Sequence, residues 1–489
     1  MKVLLVYFNT AARASFPLGL SVLANYIKAK GHTVEVFDTT FYKEFLKYKR
    51  DHHREKFGFY KTVENPIEIK YNETPLDEEL KKIIEMFSPD IIGLSILSAH
   101  FQFSRTISRF IKKHFPLIPV IVGGLHPTLA PDETISDFSV DMICVGEGEY
   151  PFSELLDKMG SGEDITGIKG IWVKQNGRIF KNGMGLLTDI KDLPINDWDL
   201  FPRQHLYSPL DGHMYRIGSV EFSRGCPYSC AYCSINYLRD MVRPQKYLRR
   251  KSVERSIEEL IYLKNTYNIE MFYFLDETFL SSDISNLRTF ADEYKINVGV
   301  PFYGMTHPLS VTDEKVKLLK QMGCYLMTIG IECGNDNFRK NVLNRTVSTK
   351  KIIEAFEIFR RHGIYASAFG MLGLPYETRQ LVFETIELFR RCQPRTYAVG
   401  IYKPFIGSHL RDICIKEGFF DPSNDNYIYP DYTSVLNMPQ FPKGEIEGMY
   451  KTFYLYTKLP KEKFPLIMQA ESDDEILENL VNECRLKID

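Results

Sequence analysis

The sequence predicts an α/β protein: a doubly wound parallel sheet of the Rossmann or flavodoxin kind, then a partial β/α (TIM-like) barrel, then a small C-terminal domain. Three observations predict it. Apolar strands alternate with amphipathic helices from residue 1 to about residue 157, the pattern lapses over residues 160 to about 215, and it resumes from Val220 through six more strands. Strand–helix alternation implies parallel strands, because each return crossing is a helix that covers the sheet.

Strands are expected at residues 3–8, 33–37, 91–96, 120–122 and 142–145, with helices at 18–30 and 107–114 and a long polar insert before the third strand. Open sheets of this kind bind ligands at the carboxyl ends of their strands. Those ends carry Ser95 to Ser98, Gly123-Gly124-Leu125-His126-Pro127 and Gly146-Glu147-Gly148-Glu149, which form one edge and one site. Residues 161–215 read as a linker with a small hairpin near Gly170-Ile171-Trp172-Val173. The second alternation places strands at 220–223, 271–275, 298–302, 325–331, 366–371 and 397–402, each but the last followed by a helix. A β/α barrel keeps its chemistry at the C-terminal strand ends. Beyond residue 410 an aromatic, turn-rich segment with Tyr427 and Tyr429 leads into two helical stretches. The expected domains are thus 1–160, 216–410 and 411–489, joined by the linker.

At 489 residues, 44% hydrophobic and 25% charged, the chain is long enough for two or three separate cores. Lys and Arg total 61 against 63 Asp and Glu, and a net charge of −2 provides no overall field for nucleic acid or anionic membranes. The N-terminal apolar run is short and lacks a cleavage site, and no apolar stretch approaches the roughly 20 residues of a membrane helix. The expectation is a cytoplasmic protein with no membrane span and no nucleic-acid partner. Nine Cys in such a length are no disulfide framework, and three of them fall within eight residues, which in a reducing compartment points to metal.

Those three are Cys226, Cys230 and Cys233, spaced Cys-x3-Cys-x2-Cys. Three thiolates hold three corners of a cubane cluster and leave the fourth iron without a protein ligand, open to an exchangeable chelator. A structural zinc site would ask for four ligands, and no His or second Cys pair lies nearby in sequence. The other six cysteines are scattered through apolar elements and read as small core residues.

The run Arg224-Gly225-Cys226-Pro227-Tyr228-Ser229-Cys230-Ala231-Tyr232-Cys233 resembles the cluster motif of the radical S-adenosylmethionine superfamily. The resemblance implies a [4Fe-4S] cluster that cleaves S-adenosylmethionine to a 5'-deoxyadenosyl radical. It also implies that Asp276 and Glu277 lie near the methionine amino group, Glu332 near the amino group or ribose, and Gly373 and Pro375, in Gly370-Met371-Leu372-Gly373-Leu374-Pro375, near the adenine. Each has a plainer alternative: Asp276-Glu277 as a helix cap, Gly373-Leu374-Pro375 as a turn. Arg224, beside the cluster in sequence, is a candidate for tuning its potential. Arg239, Arg243, Lys246, Arg249, Arg250 and Lys251 could meet an acidic group but are expected mostly exposed.

Upstream, Phe16-Pro17-Leu18-Gly19-Leu20, Gly31 to Asp38, and the Gly123–Thr128 and Gly146–Phe152 loops resemble the cobalamin-binding domain often fused to such barrels. That resemblance makes Ser95, Ser98, Gly123, Gly124, His126, Gly146, Glu147, Gly148 and Glu149 candidates for holding cobalamin. Flavodoxin-like folds in general would show the same small residues. The Asp-x-His-x-x-Gly signature that supplies cobalt's lower ligand in other cobalamin proteins is absent. A loop His beside Pro, as His126 is, more often forms hydrogen bonds than ligates. The basic insert around residues 43–61, with His52-His53-Arg54, reads as a solvated helix or a docking surface.

Together the two resemblances imply methylation of an unactivated carbon in a small-molecule substrate. One S-adenosylmethionine would supply the radical, a second would methylate cobalt, and a flavodoxin or ferredoxin would supply the electron. The alternatives are cyclisation, rearrangement or oxidation without methyl transfer, as in anaerobic magnesium-protoporphyrin monomethyl ester cyclase, and a noncatalytic cobalamin sensor. Tyr303, His307, Tyr402 and Tyr429 are the candidate catalytic side chains near the barrel mouth.

Overall fold

Along the first strand Val3 and Leu5 pack into one apolar core while Leu4 and Val6 pack into another, so the strand is buried on both faces. The computed structural model describes the chain apart from residues 12–13, 49–62, 65, 192, 430–431 and 486–489. Most of the basic insert, including His52 to Arg54, lies outside the described residues.

The first sheet runs β2 (Thr33–Asp38), β1 (Lys2–Tyr7), β3 (Ile91–Ser95), β4 (Val120–Gly123) and β5 (Met142–Cys144), all parallel, extended by antiparallel β6 (Ile171–Gln175) and β7 (Arg178–Phe180). Its helices are α1 (Leu18–Ala29), α2 (Leu76–Phe87), α3 (Phe101–His114), the short α4 (Leu125–Leu129) and α5 (Pro131–Ser136), and α6 (Glu149–Ser161). Leu20 and Ile27 of α1 with Phe152 and Leu155 of α6 cover the Val3 face, whereas Leu80 and Ile84 of α2 with Ile107 and Ile111 of α3 cover the Leu4 face. The strand order reverses between β1 and β3, which makes the loops after these two strands the natural ligand crevice.

The hairpin expected in the linker is β6–β7, and it is not free: Ile171 and Val173 enter the first sheet's core, so that sheet reaches past residue 160. The rest of the segment staples the two sheets together. Trp198 sits between Phe16 and Tyr267 at ring separations of 4.5 and 5.0 Å. Ser21 Oγ and Asn25 Nδ2 on α1 both donate to Asn196 Oδ1.

The second sheet runs β9 (His213–Val220), β12 (Met271–Phe274), β13 (Phe302–Thr306), β14 (Cys324–Glu332), β15 (Tyr365–Leu372) and β16 (Thr396–Ile401), parallel throughout, with β8 (Tyr207–Leu210) antiparallel on β9. A separate two-stranded ribbon, β10 (Ser223–Arg224) with β11 (Arg249–Arg250), brackets the cysteine loop. β9 and β16 do not pair, so the curled sheet is a partial barrel. Two strand positions differ from expectation. The first barrel strand ends where residues 220–223 were expected to begin it, and β13 starts at Phe302 because α9 continues to Asn297 and Val298 caps it. At the bottom, Asp211 in the β8–β9 turn accepts from Tyr325 Oη at 2.7 Å and pairs with Arg395 just before β16, so the turn reaches across to the far edge.

The barrel helices are α7 (Ile235–Met241), α8 (Val253–Tyr267), α9 (Ile284–Asn297), α10 (Asp313–Met322), α11 (Asp336–Asn341), α12 (Thr349–Arg361) and α13 (Arg379–Cys392), followed by α14 (His409–Lys416), α15 (Lys443–Lys458), α16 (Phe464–Ala470) and α17 (Asp474–Arg485). Ile446, Met449 and Phe453 of α15 share one core with Val382, Ile386 and Phe389 of α13. The C-terminal helix α15 thus packs directly on the barrel helix α13, with Phe453 edge-on to Phe389 at 5.2 Å between centroids. Among the described residues no helix is long and apolar enough to cross a membrane.

Candidate active site

The cysteine loop leaves β10 through Gly225, whose φ of +100° only glycine adopts without strain and where a side chain would come within 2.9 Å of the Tyr247 carbonyl. Cys226, Cys230 and Cys233 are free, half-buried thiols close enough to influence one another's charge. Burial pushes the Cys226 thiol up to about 11 and raises Cys233. The loop's backbone is held from two directions. Ala231 N donates to Leu343 O, Leu410 N to Ala231 O, and Asn344 Nδ2 to Ser229 O, all at 2.8–3.0 Å. Tyr228 stacks on His307 with centroids 3.8 Å apart and shares a 2.7 Å hydrogen bond with Ser310 Oγ.

The acidic groups at the site are the three expected, Asp276, Glu277 and Glu332, and a fourth, Glu377. Asp276 is fully buried, and its carboxylate accepts from Phe222 N at 3.2 Å and from Ser223 Oγ. It braces the strand entering the cysteine loop, and burial raises its pKa to about 6 despite those bonds. Glu277 is raised by burial and lies near enough to Cys226 and Cys233 to act on their charge. Glu332 ends β14 with a strained φ of +64°, buried beside Tyr232 and Arg345. Glu377 is also fully buried: its Oε2 accepts from Gly373 N at 2.6 Å and Leu374 N at 3.3 Å, Oε1 has no partner, and burial lifts its pKa to about 8. It shapes the Gly373–Pro375 turn, where a side chain on Gly373 (φ +72°) would press on Ile446.

Sequence reasoning missed Arg345. Its Nη1 donates to Cys230 Sγ at 3.5 Å and to Tyr232 Oη at 3.2 Å, and its Nη2 to Gly330 O at 2.5 Å. Burial opposes its charge, but Tyr232, Glu332 and Cys230 outweigh that and raise its pKa. A guanidinium inside this ring offsets the negative charge that three thiolates and a cluster would bring.

Arg224 is where the structure departs most from expectation. It turns away from the cysteines: Nη1 pairs with Glu149 at 2.8 Å and Glu147 at 3.6 Å, and Nε with Glu221 at 2.9 Å. Burial works against its charge, yet these carboxylates drive its pKa well above the ordinary value. Arg249 clasps Glu147 with both Nη atoms, Arg250 bonds Ser281 and Lys251 pairs with Glu259, so the end of the basic run is structural where exposure was expected, whereas Arg243 and Lys246 are exposed. Glu147 and Glu149 therefore face the barrel unit. Glu147, despite burial, is held below the carboxylate norm by the Arg249 hydrogen bonds and by Arg224.

On the first sheet's edge, Gly124 (φ +101°) leaves no room for a side chain, which would lie 2.6 Å from Ile96 O, and a side chain on Gly146 (φ +97°) would meet Met184. Next to them Leu97 is 53% exposed, and a side chain on Gly123 would meet only Cys144 Cβ, at 3.7 Å. Ser95 ends β3 in register with Gly123, and Ser98 Oγ bonds His126 Nδ1 at 3.1 Å. His126 is fully buried between Phe101 and Tyr427, its Nε2 lacks a partner, and burial draws its pKa down to about 4. The two edges also touch where Gly407, after β16, packs its open side on Leu129 of α4 and Tyr237 of α7.

The other candidates separate. Tyr303 stacks on Tyr273 at 4.5 Å inside the barrel. Tyr402 is buried beneath α14 beside Cys414, and Tyr429 is engaged with Asp425. His307 is occupied by Tyr228 and accepts from Leu309 N, with burial holding its pKa near 3.

A three-thiol loop ringed by buried carboxylates, facing a glycine-lined edge of a flavodoxin-like sheet, defines an iron–sulfur protein with a second, flat-ligand site. The residues fit both groups: free thiols with a guanidinium at hand on one side, a small-residue edge with an exposed Leu and an orphaned imidazole nitrogen on the other. Comparison with known proteins agrees. The radical SAM superfamily matches residues 220–389 and the B12 binding domain matches residues 64–156. The chain is 28% identical over 393 residues to an uncharacterized methyltransferase of Pyrococcus horikoshii, covering 78% of this chain and 82% of that protein. It is 23% identical to cytidylyl-2-hydroxyethylphosphonate methyltransferase of Streptomyces wedmorensis (88% and 84% covered) and 22% identical to anaerobic magnesium-protoporphyrin IX monomethyl ester cyclase of Rubrivivax gelatinosus (90% and 74%). Among solved structures it resembles the radical S-adenosylmethionine methyltransferase TsrM of Kitasatospora setae, solved with cobalamin and a [4Fe-4S] cluster, at TM-score 0.63 and 16% identity (86% and 78% covered). It also resembles the cobalamin-dependent S-adenosylmethionine radical enzyme OxsB at TM-score 0.67 and 16% identity (98% and 72%). The chain belongs to the radical SAM proteins that carry a B12-binding domain, and its cofactors are a [4Fe-4S] cluster, S-adenosylmethionine and cobalamin.

Proposed function

We propose that this enzyme methylates an unactivated carbon of a small-molecule substrate held between the two strand edges. The observation that carries the reading is the direct ion pairing of Arg224, two residues before Cys226, with Glu149 and Glu147 of the other edge. Carbon methylation needs a hydrogen-abstracting radical and a methyl donor aimed at one atom, and edges locked together meet that need.

In this reading Cys226, Cys230 and Cys233 hold the cluster, and Asp276 acts through Phe222 and Ser223 to fix the strand that carries them. Glu277 and Glu332 receive the cosubstrate's amino group, Arg345 balances the charge of the thiolates, and the Gly373–Pro375 turn backs the adenine. Ser95, Ser98, Gly123, Gly124 and His126 hold cobalamin. The cluster supplies an electron to S-adenosylmethionine, and cobalamin supplies a methyl-transfer centre. We place the enzyme in the cytoplasm, with a flavodoxin or ferredoxin as electron donor and no nucleic-acid partner; the net charge of −2 supports the last point.

Anaerobic reconstitution with iron, sulfide and cobalamin tests the reading. The expected result is production of both 5'-deoxyadenosine and S-adenosylhomocysteine, and a product heavier by one methylene unit. Deoxyadenosine with an oxidised or rearranged product of no added carbon would instead favour the cyclase-like chemistry that the Rubrivivax relative's name describes.

A further inference from the structure

Between the cysteine loop and the glycine edge runs an unbroken chain of short contacts. Arg224 and Arg249 are paired residues on the β10–β11 ribbon, so both guanidiniums project from one rigid element. Cys226 follows after Gly225, whose φ of +100° and lack of side-chain space leave little slack. Across the gap, Glu149 opens α6 and Glu147 lies in the loop before it. Thr188 knits that loop down, its N donating to Glu147 Oε2 at 2.9 Å and its Oγ1 to Glu149 Oε2 at 3.1 Å. Gly146 N then donates to Thr128 Oγ1 at 3.0 Å, and Thr128 Oγ1 to Gly124 O at 2.8 Å. The path thus ends on the glycine edge.

The charges along it are mostly hidden from water, with side-chain exposures of 6% for Glu149, 16% for Arg224, 15% for Arg249 and 19% for Glu147. Ions at such a site are little screened and are sensitive to small displacements. Arg224 uses two sides of its planar fork at once, Nη1 on Glu149 and Nε on Glu221, which a lysine cannot reproduce.

We propose that Arg224 and Glu149 are positioning residues that couple the two cofactor sites: a cluster orders the cysteine loop, the ordered loop fixes Arg224, and Arg224 preorganises the Gly146–Glu149 loop and the Gly124 edge behind it for cobalamin. Linkage makes the effect reciprocal, so bound cobalamin stabilises the cluster-loaded loop to the same degree. The proposal rests on the assignment of the two edges made above.

The test is an optical titration with hydroxocobalamin of wild-type, Arg224→Lys and Glu149→Gln protein, each in cluster-free and cluster-reconstituted form. In the wild type the cluster tightens the Kd about fivefold or more, in the range usual for coupled sites; in both variants the ratio of the two Kd values falls towards one. A merely structural role would weaken both forms alike and leave the ratio unchanged. The isosteric Glu149→Gln keeps the experiment decisive if Arg224→Lys folds poorly. Equal wild-type Kd values, or a ratio that persists in both variants, overturn the coupling and leave the proposed function standing. Failure of hydroxocobalamin to bind the wild type in either form overturns the edge assignment and the coupling with it. A second readout is the electron paramagnetic resonance spectrum of the reduced cluster: cobalamin alters it in the wild type and not in Glu149→Gln.

Discussion

The two strand edges are built on opposite plans. The barrel edge offers ligands: three thiols, carboxylates raised by burial, and a guanidinium on a sulfur. The first sheet's edge offers shape. Gly124 and Gly146 take conformations that side chains rarely adopt and are packed against their own neighbours, and the edge's acidic residues point at the barrel unit. A group fastened by bonds depends on a few irreplaceable atoms, whereas a group fastened by surface depends on backbone geometry spread over a loop.

The largest expected effect breaks the first plan. Cys230→Ala removes a cluster corner together with the sulfur that Arg345 contacts, and deoxyadenosine formation falls by roughly 1000-fold or more, equivalent to about 4 kcal/mol in the barrier. Iron content and turnover measured together check it; activity retained with full iron content would show that the cysteine is not a ligand. Next comes the shape plan. Gly124→Ala forces a side chain into a φ of +101° and to within 2.6 Å of Ile96 O, and it destabilises the first sheet by about 2 kcal/mol or more in denaturant unfolding. Cobalamin affinity falls with it, while the cluster still assembles. Loss of both cofactors together would erase the distinction between the edges.

A smaller effect concerns pH. Glu377 has an ordinary pKa of 4.5 and a folded value of about 8, with burial as the main cause. Between those values the folded state keeps a proton that the unfolded state releases, so stability falls as pH rises through that window. Glu377→Gln removes the titration and flattens the slope of the unfolding midpoint against pH. A slope unchanged in the variant would contradict the assignment.

The contrast between the plans also explains what could be read from the sequence. The cysteine spacing is a chemical signature, and strand–helix alternation reports burial directly, so the two sheets and the thiol loop were legible without coordinates. Arg224 was read by its neighbourhood in the chain, yet its partners Glu149 and Glu147 are more than 70 residues away and no local pattern announces them. Arg345 was missed for the same reason: its contact with Cys230 crosses 115 residues. The hairpin β6–β7 looked like linker because its strands are short; only its pairing with β5 makes it part of the sheet. The β1 end lies on the crevice by strand order, yet Asn9 to Ser15 carries no motif that marks it in the sequence.

The smallest expected effect probes how the C-terminal segment covers the shape-built edge. Tyr427 donates to Glu133 Oε2 at 2.6 Å and lays its ring edge-on against His126, 5.1 Å between centroids, and against Phe101. Glu133 is exposed, so water replaces the lost donor in Tyr427→Phe, and the change amounts to about 1 kcal/mol or less. Tyr427→Ala also removes the ring that seals His126, whose Nε2 lacks a partner, and so opens the imidazole to water. Burial is what lowers the His126 pKa to about 4, so this variant moves it back towards 6.5, whereas Tyr427→Phe leaves it low. Nuclear magnetic resonance titration of the His126 ring in the two variants separates the roles. An equal shift in both would mean that the hydroxyl, and not the ring, is what shields the edge.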